Sequence, residues 1–142
     1  METRKPEKEL GNEALIERVI AAAIRVHTEL GPGFLESLYE EALGIELRSL
    51  GVQFDRQKPM PIFYRAQPIG EHRADPLVES AIVGGLKATS ALEKVHFAIL
   101  RSYIRALGLF GGLLFNFAAT RLTTKRVGRE FRSRSIEEDI SF

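Results

Sequence analysis

The chain has 142 residues, 44% of them apolar and 27% charged, with a formal net charge of +1 and no cysteine. That size and balance fit one globular domain and exclude disulfides and thiolate metal sites. The longest apolar runs, Ala21 to Ile24 and Gly111 to Phe115, are far shorter than the roughly 20 residues of a spanning helix. The opening METRKPEKEL lacks the apolar core of a signal peptide, so a cytoplasmic location is expected.

In chain order, residues 1–11 read as a flexible lead. Asn12 is placed to cap a helix whose apolar residues Ile16, Val19, Ile20, Ala23, Ile24 and Leu30 recur at helical spacing. Gly31-Pro32-Gly33 ends it. A second helix begins near Phe34, runs through Leu38, Ala42, Ile45 and Leu47, and stops at Gly51; Gly44 within it permits close packing. The period then changes. Val52 to Gln57 alternates, Pro59 to Tyr64 continues extended, and a turn at Ala66 to Gly70 leads to a strand over Glu71 to Val78. Glu79-Ser80 turns the chain into SAIVGGLKATS, a buried strand interrupted by the adjacent Gly84 and Gly85, which leave nothing to pack. Thr89 or Ser90 is expected to cap a third helix with Leu92, Val95, Ile99, Leu100, Tyr103 and Leu107 on one face, ending at Gly108. Gly111 to Phe117 has the unbroken apolar character of a strand buried on both faces. A last strand, Arg121 to Val127, precedes a charged tail, residues 131–142.

The expected order is ααβββαββ, an α/β arrangement with a mixed sheet flanked by helices, in a domain over residues 12–130. Charge is uneven along it. Arg121, Lys125, Arg126, Arg129, Arg132 and Arg134 face a single acid, Glu130, before Glu137, Glu138 and Asp139 in the tail. Such a basic segment reads as a solvated edge strand or as a track for a phosphate backbone.

Four polar features stand against this scaffold. Glu36 and Tyr39 share a face in the first turn of the second helix. Asp75 lies in a strand-like stretch where Asp has poor propensity, directly before Pro76. Lys87 closes the glycine-containing strand, and Asn116 interrupts a buried run. Each has a structural reading: a helix-end acid, a bulge, a strand terminus, a satisfied core amide. Together, an acid on one strand, a lysine at the end of the next and a glutamate on a neighbouring helix suit metal-assisted phosphodiester hydrolysis. Carboxylates would hold Mg2+, and the ammonium would orient water or stabilise developing charge. His27, His72 and His96 have no ligand spacing, so no zinc site is expected. Ser37 and the other serines show no nucleophile pattern.

GPGFLESLYEEAL, residues 31–43, resembles the signature of the GxxExxY family through Gly33, Glu36 and Tyr39. VHTEL before it, Gln57-Lys58-Pro59, Tyr64, Arg73-Ala74-Asp75, Leu86-Lys87-Ala88, His96, Tyr103 and LLFNF at 113–117 follow in that family's order, over roughly residues 12–130. The resemblance implies the PD-(D/E)xK nuclease superfamily, a restriction-endonuclease-like core, and Mg2+-dependent cleavage of nucleic acid. By it, Glu36 is the helix glutamate, Asp75 the metal-binding aspartate with Glu36 beside it, and Lys87 the lysine of the (D/E)xK element. Three slots differ from the family pattern: Gly85 stands where an acid belongs, Ile99 where a glutamine is usual, and Pro76 where a hydrophobic strand residue is usual.

An Mg2+ site without the acid at 85 retains Asp75 and Glu36, and the water loses a base. Glu79 lies about 13 Å along the strand from Asp75, too far to substitute. The expectation is therefore a nuclease-superfamily protein with a weak or absent metal site and slow or no catalysis. Arg73, Lys125, Arg126 and Arg129 are its candidate nucleic-acid contacts. A non-catalytic nucleic-acid-binding module and a protein-interaction or dimerisation domain are the alternatives; DNA against RNA, and monomer against homodimer, stay open.

Overall fold

The structure, a computed structural model, describes residues 7–128, with side chains from residue 11 onward. Helix α1 spans Glu7–Leu30 and α2 spans Glu36–Ser49. Short strand β1 (Phe54–Asp55) precedes an antiparallel pair, β2 (Lys58–Tyr64) and β3 (Gln67–Ala74). β4 (Leu77–Val78), β5 (Ile82–Lys87), α3 (Lys94–Leu107), β6 (Gly111–Asn116) and β7 (Thr123–Gly128) follow. The main sheet runs β1-β4-β5-β6-β7, with β5 parallel to β6 and every other pairing antiparallel. A parallel pair needs a crossover, and α3 supplies it.

The expected mixed sheet between helices is present, with four main differences. The extended stretch expected over 52–64 divides into β1, in the main sheet, and β2, in the ribbon, so five strands rather than three precede α3. α1 begins at Glu7, so Asn12 lies within the helix rather than capping it. The expected strand 71–78 divides at Asp75-Pro76, a cis peptide. Pro76 offers no N–H to a ladder. β3 therefore ends at Ala74 and leaves with β2 as a separate ribbon, while β4 returns to the main sheet. The N-cap of α3 is Glu93, not Thr89 or Ser90. Both backbone polar groups of Thr89 are already bound by Asn116: the Thr89 N–H donates to Oδ1 at 3.2 Å, and Nδ2 donates to the Thr89 carbonyl at 2.9 Å.

Two apolar cores lie on the two faces of the sheet. On one, α1 and α2 pack Val19, Ala23, Leu43 and Leu47 against Ile82, Leu86, Phe115 and Phe117. On the other, α3 packs Phe97, Leu100 and Ile104 against Val83, Leu114 and Val127. β6 is buried along its whole length, as its unbroken apolar run requires. Because strand side chains alternate, residues 83, 85 and 87 of β5 face the α3 side. No described helix is long and apolar enough to cross a membrane.

Candidate functional site

The site forms where β5 ends, α2 begins and β3 gives way to β4. The register pairing Leu77 with Val83 and Val78 with Ile82 carries Asp75 alongside Gly85, one alternation before Lys87. Glu36, Asp75, Gly85 and Lys87 line a single cavity of about 120 Å3, with Glu40 and His96 also in its wall. Glu36, Asp75 and Lys87, 12 to 51 positions apart in sequence, are thus brought together. Arg73 and Ile99 line the same cavity. Lys125 and Arg126 do not: they lie on β7, two strands from β5, where Arg126 pairs with Glu13 at 2.8 Å. Arg129 lies outside the described residues.

Tyr39 turns away from the cavity. Its ring is fully buried and stacks on Phe117, with centroids 4.4 Å apart. Its hydroxyl donates to the Gly31 carbonyl at 2.6 Å and accepts the Phe34 N–H at 3.2 Å, so it ties the Gly31-Pro32-Gly33 loop to α2. Gly33 there has φ 111°, a conformation a side chain would oppose. The tyrosine thus fixes where the first turn of α2 presents Glu36. Glu36 Oε2 in turn accepts the Ala88 N–H at 3.3 Å, joining that turn to the end of β5.

Asp75 is buried and held by an unforeseen pair. Arg56 Nε donates to Oδ1 at 3.0 Å and to Oδ2 at 3.1 Å, Nη2 donates to Oδ2 at 3.0 Å, and Gln57 Nε2 donates to Oδ2 at 2.8 Å. The same guanidinium reaches Glu41 at 2.8 Å and Glu40 at 3.8 Å. Bonding to Asp75 and Glu41 holds Arg56 firmly protonated, and its hydrogen bond draws the exposed Glu41 carboxyl down. Glu40 moves the other way. Burial pushes its carboxyl up, Asp75 and Glu36 add repulsion, and Arg56 and Lys87 oppose the rise.

His96 is oriented by its own helix start. Its Nδ1 accepts the Glu93 N–H at 2.9 Å, which places the proton of the neutral ring on Nε2. From the α3-side core, Tyr103 donates to the Arg73 carbonyl at 2.9 Å, and burial raises its phenol pKa against that bond.

The two glycines of β5 differ in kind. A Cβ on Gly84 would lie 2.8 Å from the Pro76 ring, so that position admits no side chain as the ring stands. A Cβ on Gly85 would meet Leu114 Cδ1 at 3.0 Å and Leu100 Cδ1 at 3.6 Å, both ends of flexible side chains. Gly84 is required by packing; Gly85 is not.

The donor chemistry does not fit Mg2+ as the side chains stand. Both oxygens of Asp75 are engaged by Arg56 and Gln57, one oxygen of Glu36 by a backbone N–H, and Gly85 brings no carboxylate. Among the described residues no group of three His, Cys, Asp or Glu is disposed to hold a metal ion. Three members of the site, Glu40, Arg56 and Gln57, were given no role from sequence. Glu40 lies one turn after Glu36, and that spacing alone places both on one face. Arg56 had no local signal, since its partner stands 19 residues away.

Residues 13–127 match the family model described as the PD-(D/E)XK nuclease superfamily. No curated protein and no solved structure gives a significant match.

Proposed function

Because the chain belongs to the PD-(D/E)XK nuclease superfamily, we propose that its cavity is a phosphodiester site in which Mg2+-dependent hydrolysis is impaired and nucleic-acid binding is kept. The observation that carries this reading is the grip of Arg56 and Gln57 on Asp75 beside Gly85. In such a site a hard divalent ion needs charged oxygens. Here the best-placed carboxylate has a guanidinium as its counter-cation, and the neighbouring position has no side chain. Lys87 is the residue assigned to a phosphate oxygen, as a point charge at the strand end. Glu36 positions the α2 turn against β5. Lys125, Arg126 and Arg129 are assigned to the flanking phosphates, where they would act through charge rather than base contact.

Within the superfamily we place the chain in the GxxExxY group. Gly33, Glu36 and Tyr39 support that placement through linked roles: the glycine permits the loop, the tyrosine anchors it, and the glutamate it presents faces Lys87's strand.

The test is cleavage of plasmid and single-stranded DNA and of RNA with Mg2+ and with Mn2+, by the parent, Gly85→Glu and Gly85→Glu/Ile99→Gln. The parent is expected to leave the substrates intact and the double variant to cut. Parent cleavage abolished by Asp75→Ala would refute the impairment, and cleavage surviving that change would refute the site itself. No binding to nucleic acid at about 50 mM salt, where phosphate contacts are strongest, would leave a protein-interaction domain instead.

A further inference from the structure

The β2–β3 ribbon leaves the main sheet at the cavity wall, and beyond Arg73 at its base it has no part in the site described above. Its base is firmly held. Met60 and Ala74 are buried in the α3-side core, Ile62 packs against it, and Tyr103 bonds the Arg73 carbonyl. Seven of the eight residues of β3 are exposed, and β2 extends about 23 Å at roughly 3.3 Å per residue. The far end is apolar and aromatic: Phe63, Tyr64 and Ile69 are 58%, 62% and 66% exposed. A two-stranded ribbon is marginal on its own, and a cluster of exposed large apolar groups at its tip marks a contact surface.

The tip carries a second peculiarity. Arg65 and Ala66 form the turn with φ 50° and 65°. Hairpin turns of this hand favour Asn and Gly, because other side chains oppose a left-handed backbone. Here an arginine holds the position, with its guanidinium 5.6 Å from the Tyr64 ring centroid. Along residues 58–74 the cations Lys58, Arg65 and Arg73 face one carboxylate, Glu71, which pairs with Arg73 at 2.7 Å.

We propose that this ribbon is a further duplex-DNA contact of the protein, entering the major groove with Tyr64 and Arg65 at its leading end. This rests on the nucleic-acid reading above and adds the element and the partner's form. The B-form major groove, about 12 Å wide, admits a two-stranded ribbon, whereas that of A-form RNA is too deep and narrow. The cations match phosphate, and the apolar tip matches thymine methyls on the groove floor. A second copy of the chain fits poorly. Pro59, Pro61 and Pro68 deny the ribbon edge N–H donors for strand addition, and two basic tips would repel.

The experiment is fluorescence anisotropy of a short labelled DNA duplex and the matching RNA duplex with the full chain, at about 50 mM salt and upward. The parent, Tyr64→Ala, Arg65→Ala, the double variant and Lys87→Ala are compared. Tyr64→Ala should weaken DNA binding about tenfold, because an apolar contact with base edges and thymine methyls in the groove is lost. Arg65→Ala should flatten the slope of log affinity against log salt by about 0.9. Neither should change the melting temperature, because both side chains stand at an exposed tip. Unchanged binding by the double variant, with Lys87→Ala weakened, would overturn the ribbon and spare the cavity. No nucleic-acid binding by the parent would overturn both. Equal affinity for duplex RNA would refute the groove assignment, and a parent dimer dissociated by Tyr64→Ala would make the tip a self-interface instead.

Discussion

Helix α2 serves two regions that treat polar groups in opposite ways. Towards α1 and the sheet, Tyr39 is sealed between Phe117 and the Gly31-Pro32-Gly33 loop, with its one hydroxyl fully committed. Towards β5, the same turns offer Glu36 and Glu40 to an open cavity, where three carboxylates crowd around Lys87 and the Arg56 guanidinium. The sealed region minimises its free energy by matching shape and every hydrogen bond. The cavity instead holds like charges close together, a cost that folds accept where chemistry or binding is done. Tyr39 is therefore a residue of stability, whereas Glu36 and Glu40, three and one positions away, line the cavity to which the proposed function is assigned.

The sharpest separation is expected from Tyr39→Ala, which should cost about 3–5 kcal/mol, the range for deleting a buried aromatic. Denaturant unfolding measures it; a loss under 1 kcal/mol by the same scale would erase the contrast between the two regions. Arg56→Ala comes next. It strips the buried Asp75 of its counter-cation, and the low end of the 3–5 kcal/mol range for orphaning a buried charge applies, about 3 kcal/mol, because Arg56 keeps some solvent contact. Asp75→Asn/Arg56→Ala should recover part of that loss, since no anion is then left uncompensated.

The glycine pair gives a smaller, paired test. Gly84→Ala drives a methyl into the Pro76 ring and should destabilise by about 1–3 kcal/mol. Gly85→Ala should stay within about 1 kcal/mol of the parent, because the strand gains from losing a glycine while Leu114 yields slightly. Similar losses at both positions would remove the basis for reading Gly85 as open to a carboxylate.

The smallest effect is a pH dependence. Burial and the flanking Asp75 and Glu36 raise the Glu40 pKa in the folded protein above its unfolded value. The folded state therefore favours the protonated form. Its contribution is fully present below the unfolded pKa and is lost as pH rises through the folded one. The stability of the parent relative to Glu40→Gln should accordingly fall as pH rises above the ordinary carboxylate range. Thermal melts across that rise in pH check it, and a difference that grows with pH would mean that Arg56 and Lys87 outweigh burial.

Much of the scaffold is legible because periodicity reports burial directly. The helical spacing before Gly31, the unbroken run of β6 and the Gly108 stop each follow from local chemistry and recur in the fold. Legibility fails where a distant partner decides. Thr89 is a good cap in isolation, yet Asn116, 27 residues on, already claims its backbone. Pro76 announces a break, but not that β3 departs as a separate ribbon. In the site, the ordered motif series located Glu36, Asp75, Gly85 and Lys87, which line one cavity. The partner that changes its electrostatics, Arg56, sits in an ordinary alternating stretch. Its role exists only once the chain has brought it to Asp75.

The central claim is that Asp75 has Arg56, not a divalent ion, as its counter-cation. Calorimetric titration of the full chain with Mn2+, alongside Gly85→Glu and Asp75→Ala, tests it most directly. The parent is expected to show no saturable binding, and Gly85→Glu a new one-site isotherm. A saturable isotherm in the parent that vanishes in Asp75→Ala would contradict it.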